Sequence, residues 1–295
     1  MNESNPASSY LRWNDVPSLR FPFMIMGFYG WSNAGNASSE TMAYLMETLG
    51  AATIAYVSHE PFLNYTEDRP VGEIRNGLIQ HIEPSSAAIK CWVNDHTERD
   101  LILFLDHEPH TNWSTYTELI MGAVNRLGVE RVYTIGGVQD TVSHVSTPMI
   151  STVASTASMV AEAIALGHGI RPSEYVGPIS IHSRVIQACS EAGVEAVSLW
   201  AHVPVYLQSN PRVVSKLVKI MNMIVGMRCP IEPLHRKAID LDRKINEAIA
   251  EDPNLKQFVE SIEGKEERPN SLGRGEKIIH LNDFLRRDPR NDTES

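Results

Sequence analysis

The stretch from Phe23 to Glu40 constrains this chain more than any other. An apolar run, Phe23-Met24-Ile25-Met26, passes through Gly27 and Phe28 to Gly30, and a segment of small residues with helical spacing follows directly. A short apolar run punctuated by glycine and followed by 3.6-residue periodicity reads as a strand handed through a tight loop into a helix. In that helix Ala34, Ala37, Thr41, Leu45 and Leu49 share one face. The same alternation recurs, with strands expected at Thr53–Ser58, Leu101–Asp106, Arg131–Ile135, Pro178–Ile181 and Glu195–Trp200. Helices are expected at Thr117–Leu127, closed by Gly128, and near Ser183–Glu191. Strands alternating with helices predict an α/β fold with a largely parallel sheet covered on both faces.

Two segments, Glu60–Trp92 and Gln139–Thr156, interrupt this rhythm with turn formers and hydroxyl residues, and antiparallel edge strands suit them. After Trp200 the character changes. Asn210-Pro211 is a helix start, with the stripe Val214, Leu217, Val218, Met221 and Val225 running to Gly226. Leu234, Ala238, Leu241, Ile245 and Ile249 follow in a highly charged segment, and Leu255–Ile262 comes after Asp252-Pro253. Glu232–Gly264 therefore reads as a helical hairpin projecting from the body or folded along it. The expected organisation is an α/β/α domain at 15–230, a hairpin appendage at 231–264, and a linker, short helix and flexible tail at 265–295. The first dozen residues read as a loose tail.

Composition narrows the class. The 295 residues are 42% hydrophobic and 21% charged, with a formal net charge of −10 and a pI of about 5.6. An acidic surface disfavours non-specific binding to phosphate backbones, so nucleic acid is not an expected partner. Residues 1–14 lack the basic-then-apolar layout of a signal peptide, and Leu217–Met227 is broken by Lys219 and Asn222. No membrane partner is expected, and the expected compartment is cytoplasmic. Cys91, Cys189 and Cys229 are odd in number and unpaired in spacing, which favours reduced thiols over a disulfide frame or zinc site.

Three clusters carry chemistry-bearing residues. The Gly30–Gly35 loop offers a phosphate cradle at a helix start or simply a tight turn; its spacing matches neither dinucleotide nor nucleotide fingerprints. Asp106-His107-Glu108-Pro109-His110 lies just past the carboxyl end of a predicted central strand, where α/β crevices form, but Pro109 argues against a helical zinc motif. Asp140, Ser143 and His144 have the residue types of a hydrolytic triad without a nucleophile elbow; the alternative is a hydroxyl-rich loop satisfying its own backbone. No metal site, cofactor or catalytic set is expected. The candidate ligand crevice is lined by Gly30, Trp31, Asn33, Gly35, Asp106, Glu108, Gly137 and His144. The candidate interface is Leu234, Leu241, Ile245 and Ile249, whose alternative fate is burial against the parent domain.

Ordered segments from about residue 20 to 225 carry a family resemblance. They are Gly30-Trp31-Ser32-Asn33-Ala34-Gly35; Asn64-Tyr65 with Arg69-Pro70; and Glu108-Pro109 followed by Trp113. Gly128-Val129-Glu130-Arg131-Val132 with Ile135-Gly136, and Tyr175-Val176-Gly177-Pro178, come next. The last is Ala192-Gly193-Val194 running into Ser198-Leu199-Trp200-Ala201-His202-Val203-Pro204. Together they resemble the family named after the second proteasome assembly chaperone, most closely its actinobacterial branch. The resemblance implies a three-layer α/β/α fold with a mixed, mostly parallel sheet, similar to nucleoside phosphorylases and related hydrolases. It also implies a homo-oligomer, a trimer, and a non-enzymatic relative that helps assemble proteasome subunits; it carries over no catalytic residues. The chain departs from the family pattern where Asn64-Tyr65 replaces Asp-Tyr. It departs again at Val142–Pro148, which lacks the arginine of Val-Pro-His-Thr-Arg-Pro.

Two functions are thus expected in competition. One is a non-enzymatic assembly factor, with self and proteasome subunits as partners. The other is a small-molecule binder or enzyme, nucleoside phosphorylase- or hydrolase-like, using the strand-end crevice.

Overall fold

The central strands of the sheet alternate their side chains between two separate apolar cores, and the helices that complete those cores make the outer layers. In the computed structural model, which describes residues 9–67, 69–82 and 85–263, the elements run in order. They are β1 (Leu11–Trp13), β2 (Phe23–Tyr29), α1 (Ala37–Thr48), β3 (Ala52–Ser58), β4 (Gly72–Arg75), β5 (Leu78–Ile82), β6 (Ser86–Trp92), β7 (Leu101–His107) and α2 (Trp113–Arg126). Then come β8 (Arg131–Asp140), β9 (Ile150–Ala154), α3 (Ala157–Ala165), β10 (Ile170–Pro172), α4 (Ile181–Glu191), β11 (Glu195–Pro204), α5 (Pro211–Val225), α6 (Glu232–Glu251) and α7 (Pro253–Glu263).

Among the described residues nine strands form one mixed sheet, ordered β1-β3-β6-β7-β2-β8-β11-β9-β10. The four central strands β7, β2, β8 and β11 are mutually parallel. Antiparallel β6 and β9 flank them, in the two segments where the sequence suggests edge strands. From β2, Phe23 and Ile25 enter one core with α1, α3 and α5, while Met24, Met26 and Phe28 enter the other with α2 and α4. That period of two explains the continuous apolar runs: both faces are covered.

Four expectations change. Pro178–Ile181 is not a strand: Ser180 only occupies the position before α4, and Ile181 already sits in its first turn. Helix α3 follows Thr156, whose hydroxyl accepts from the Met159 N–H, where no helix is expected. The tail is ordered enough at Leu11–Trp13 to pair antiparallel with β3. Finally, β8 does not end at Ile135 but runs through Gly136-Gly137 to Asp140. The linker, short helix and tail expected at 265–295 lie outside the described residues.

Helices α6 and α7 lie along the body. Leu234, Ile245, Leu255 and Val259 are buried in the core that α5 completes, with Leu241 and Ile249 packed against it. The expected interface stripe is therefore consumed by the chain's own core, the burial that most amphipathic helix faces find. By contrast β4 and β5 form a separate two-stranded ribbon, exposed at every position. No described helix is long and apolar enough to cross a membrane.

Candidate functional site at the carboxyl edge of the sheet

Parallel strands β2, β7, β8 and β11 end at the same edge, and the loops leaving them hold the polar groups. Gly30, with φ of +99°, turns the chain out of β2, and a Cβ there would come within 3.4 Å of the Glu108 Cβ. Glu108, just past β7, directs Oε1 to the first turn of α4, where the Ile181 N–H donates to it at 2.8 Å. The Trp31 N–H donates to the same carboxylate. A carboxylate at a helix start meets unpaired amides and the positive end of the helix dipole, so Glu108 serves as the cap of α4. Burial raises its pKa and these amide donors partly offset that.

The next loop residues tie the edge to β8. The Gly137 N–H donates to the Ser32 carbonyl at 2.7 Å, and Asn33 bridges to Gly137 in parallel fashion. A Cβ on Gly137 would lie 2.4 Å from the Ala34 carbonyl oxygen, so only glycine permits this approach. Asn33 turns its amide back onto Ser39, accepting from the Ser39 N–H at 3.0 Å. Gly35, with φ of +57°, backs onto Val203. These are the contacts of a tight turn: the Asn33 N–H donates to the Gly30 carbonyl and the Asn36 N–H to the Asn33 carbonyl. Trp31 stands 63% exposed above them.

Against Ser32 of the same loop lies His182, fully buried on the first turn of α4. Its ring sits edge-on to Phe28 and tilted against Trp200, with Nε2 3.1 Å from the Ser32 hydroxyl. Among the described residues its Nδ1 has no partner, nor does the buried Ser180 hydroxyl. Burial alone pulls the imidazole down to about 3, so it is neutral at physiological pH.

Two expected members of the crevice are spent elsewhere. Asp106 is buried: His59 Nε2 is 2.5 Å from Oδ1, and the Tyr116 hydroxyl donates to Oδ2 at 2.6 Å. Burial and then the adjacent carboxylate raise the Tyr116 pKa well above the usual phenol value, fixing that hydroxyl as a donor. His144 is also buried, its backbone N–H donating to the Tyr206 hydroxyl and its Nδ1 2.9 Å from the same oxygen. The structure thus brings Gly30, Trp31, Asn33, Glu108 and Gly137 together and places Asp106 and His144 in networks of their own.

The acid of the suspected triad finds a different histidine. Asp140 Oδ2 lies 2.7 Å from His202 Nδ1, and His202 Nε2 lies 3.0 Å from the Ser151 hydroxyl. An ionised carboxylate only accepts, so Nδ1–H donates to Asp140 and Nε2 is left to accept from serine. The bond to His202 lowers the Asp140 pKa despite burial. This is the hydrogen-bond order of a nucleophilic relay, partly open to solvent, with side-chain exposures of 17% for His202 and 30% for Asp140. The Ser143 hydroxyl, by contrast, accepts from the Val145 N–H within its own loop.

Sequence reasoning missed Ser32, Ser180, His182, Ser151 and His202. One signal existed for His202: it shares strand parity with Ser198 and Trp200, so polar groups interrupt a face that a buried strand fills with aliphatics. Ser151 gave none, because its partner is 51 residues away. Cys91, Cys189 and Cys229 are all free and buried, with burial raising Cys189 to about 12 and Cys229 to about 11. Among the described residues no group of three or more His, Cys, Asp or Glu could hold a metal ion.

Comparison with known proteins gives a consistent picture. Residues 27–249 match the PAC2 family. A PAC2 family protein from Streptomyces avermitilis is 27% identical with a TM-score of 0.69, over 77% of this chain and 95% of that one. A proteasome-assembly chaperone homologue from Mycobacterium tuberculosis is 27% identical with a TM-score of 0.72, over 80% and 99%. The archaeal proteasome activator PbaB of Pyrococcus furiosus shares the fold at 16% identity, with a TM-score of 0.64 over 80% and 97%. No curated protein matches the sequence.

Proposed function

The chain belongs to the PAC2 family, and on that premise we propose that it is a protein-interaction factor of the proteasome-assembly-chaperone type, self-associating and acting on proteasome subunits. The observation that carries this reading is the β4–β5 ribbon. Ile74, Leu78, Ile79 and Ile82 on it, and Val71 just before it, are each at least 58% exposed. An isolated two-stranded ribbon is marginally stable in water, and a cluster of uncovered aliphatics marks a surface that another protein covers. Two structural neighbours, one a proteasome-assembly chaperone homologue and the other a proteasome activator, support the choice of partner. Trp31 adds an exposed aromatic of the kind that anchors interfaces.

The test is co-expression with the proteasome subunits of the native host. The wild type should retain α-subunits on affinity capture and run as an oligomer in light scattering. Replacing Ile74 and Ile79 with lysine should abolish capture with the far-ultraviolet dichroism unchanged. Capture that persists in the double variant would reject the ribbon, and no capture by the wild type would reject the function.

A second reading rests on the Ser151–His202–Asp140 relay, which favours hydrolysis. In it the Ser151 oxygen attacks an acyl carbon while its proton passes to His202 Nε2, which returns it to the departing alkoxide; water then releases the acyl group. A fluorophosphonate probe should label the wild type at Ser151 and leave Ser151→Ala unmarked. An unlabelled wild type removes this reading.

A further inference from the structure

A cavity of about 670 Å³ opens between α5, α6 and the segments leading into β9 and β10. Its charge is at odds with the rest of the molecule. The whole chain carries −10, yet the lining contains Arg171, Arg212, Lys216, Lys219, His168 and His235 and no aspartate or glutamate. An average patch on this acidic chain carries more acids than bases, so a cavity lined by two arginines, two lysines and no acid is a departure that calls for a counter-charge.

The protein supplies little of it. Arg212 pairs through Nη2 with Asp242, but among the described residues its buried Nε has no partner. The Lys216 ammonium donates to the Pro148 carbonyl, a neutral acceptor. Burial and then Lys219 lower the Lys216 pKa; burial and then Lys219 and Lys216 lower that of His168. The like charges are thus crowded enough to disfavour one another's charged state, and an anion placed among them relieves all of them together. The apolar part of the lining is Pro148, Met149 and Ile239, the last 67% exposed.

We infer that this cavity binds a small organic phosphate, with the phosphates against the α5 and β10 cations and the apolar part against Ile239. The volume lies in the ordinary range for small-molecule sites, roughly 300–1,000 Å³. Arginine and lysine together recognise phosphate by fork geometry and by point charge respectively. A cavity of this size, on an acidic protein, suits a small molecule and not an extended nucleic acid.

The cavity and the interaction ribbon share no residue, so the test is separate. Full-length protein at low ionic strength is titrated calorimetrically with ATP, pyrophosphate, sulfate and adenosine. ATP and pyrophosphate should bind and adenosine should not, with affinity falling as salt rises. Arg171 and Lys219 are exposed, so Arg171→Glu and Lys219→Glu leave the core intact. Each should weaken ATP binding by roughly tenfold or more, as expected for losing a charged hydrogen-bond partner. Absence of heat with both phosphates, equal binding of sulfate at the same ionic strength, or undiminished binding by both variants would overturn the assignment.

Discussion

Two glycines separate the effects of contact and conformation. Gly137 belongs to β8, and its missing Cβ leaves room for the Ala34 carbonyl oxygen, a backbone atom that cannot swing aside. Gly137→Ala should therefore lower stability by about 1–3 kcal/mol, the usual range for overpacking. Gly122 lies exposed in α2, where an added Cβ would meet nothing within 4 Å. Gly122→Ala should raise stability by about 0.5–1 kcal/mol, since alanine restricts the unfolded chain and suits a helix. Urea unfolding of both variants checks the pair, and equal effects of one sign would contradict the packing argument. His182 makes a second residue-scale prediction. Its imidazole titrates at about 3 in the fold against 6.5 as the ordinary value. Below pH 6.5 the unfolded chain takes up a proton that the fold refuses, so stability present above 6.5 is lost as pH falls toward 3. Full loss is on the order of 5 kcal/mol. Because buried carboxylates titrate in the same window, the informative quantity is the difference from His182→Gln. That difference should favour the wild type at pH 7 and shrink steadily on acidification; a gap constant with pH would show that His182 takes up its proton in the fold as readily as in the unfolded chain.

At the scale of elements, helix starts show what sequence reveals and what it conceals. Asn210 caps α5 with its own side chain, accepting from the Arg212 N–H at 3.1 Å, and Pro211 occupies the first turn. Cap and helix are adjacent in sequence, so this start is legible there. The start of α4 reads as a strand instead, because its cap is Glu108, 73 residues upstream. The Ser180 hydroxyl at the cap position makes no bond to the helix it precedes. The same distance effect governs the candidate site. Gly30, Trp31, Asn33 and Gly35 are readable because one loop contains them. The replacement of His144 by His202 as the partner of Asp140 follows from β8 and β11 lying side by side, a register that no local pattern specifies. Glu108→Ala tests the distant cap: losing a charged acceptor at a helix start should cost about 1–2 kcal/mol. Amide exchange should then quicken in the first turn of α4 and not in α5. Uniform quickening through both helices would mean that Glu108 acts on the whole fold.

The whole molecule divides into a sealed body and an uncovered ribbon, and the two respond oppositely to polar substitution. A charged segment with an apolar stripe reads equally as an interface or as a cover, because periodicity reports an apolar face and not what meets it. In the fold α6 and α7 are the cover: Ile245 is wholly buried in a core shared with Leu217, Val218 and Met221 of α5. Leu241→Asp with Ile245→Asp, which would dissociate an oligomer if this stripe were the interface, should instead unfold the protein. Deleting the buried Ile245 side chain alone, as Ile245→Ala, should cost about 2–5 kcal/mol. The ribbon makes the reverse prediction. Ile74, Leu78 and Ile79 contribute no burial to either core, so replacing 71–82 with a glycine–serine turn should leave the melting temperature of the body unchanged. Thermal melts of the two variants beside light scattering separate the roles. Loss of stability with Ile245→Ala, and loss of mass without loss of stability on ribbon removal, is the expected pattern. If ribbon removal melts the body and Ile245→Ala does not, then cover and contact surface have been assigned the wrong way round.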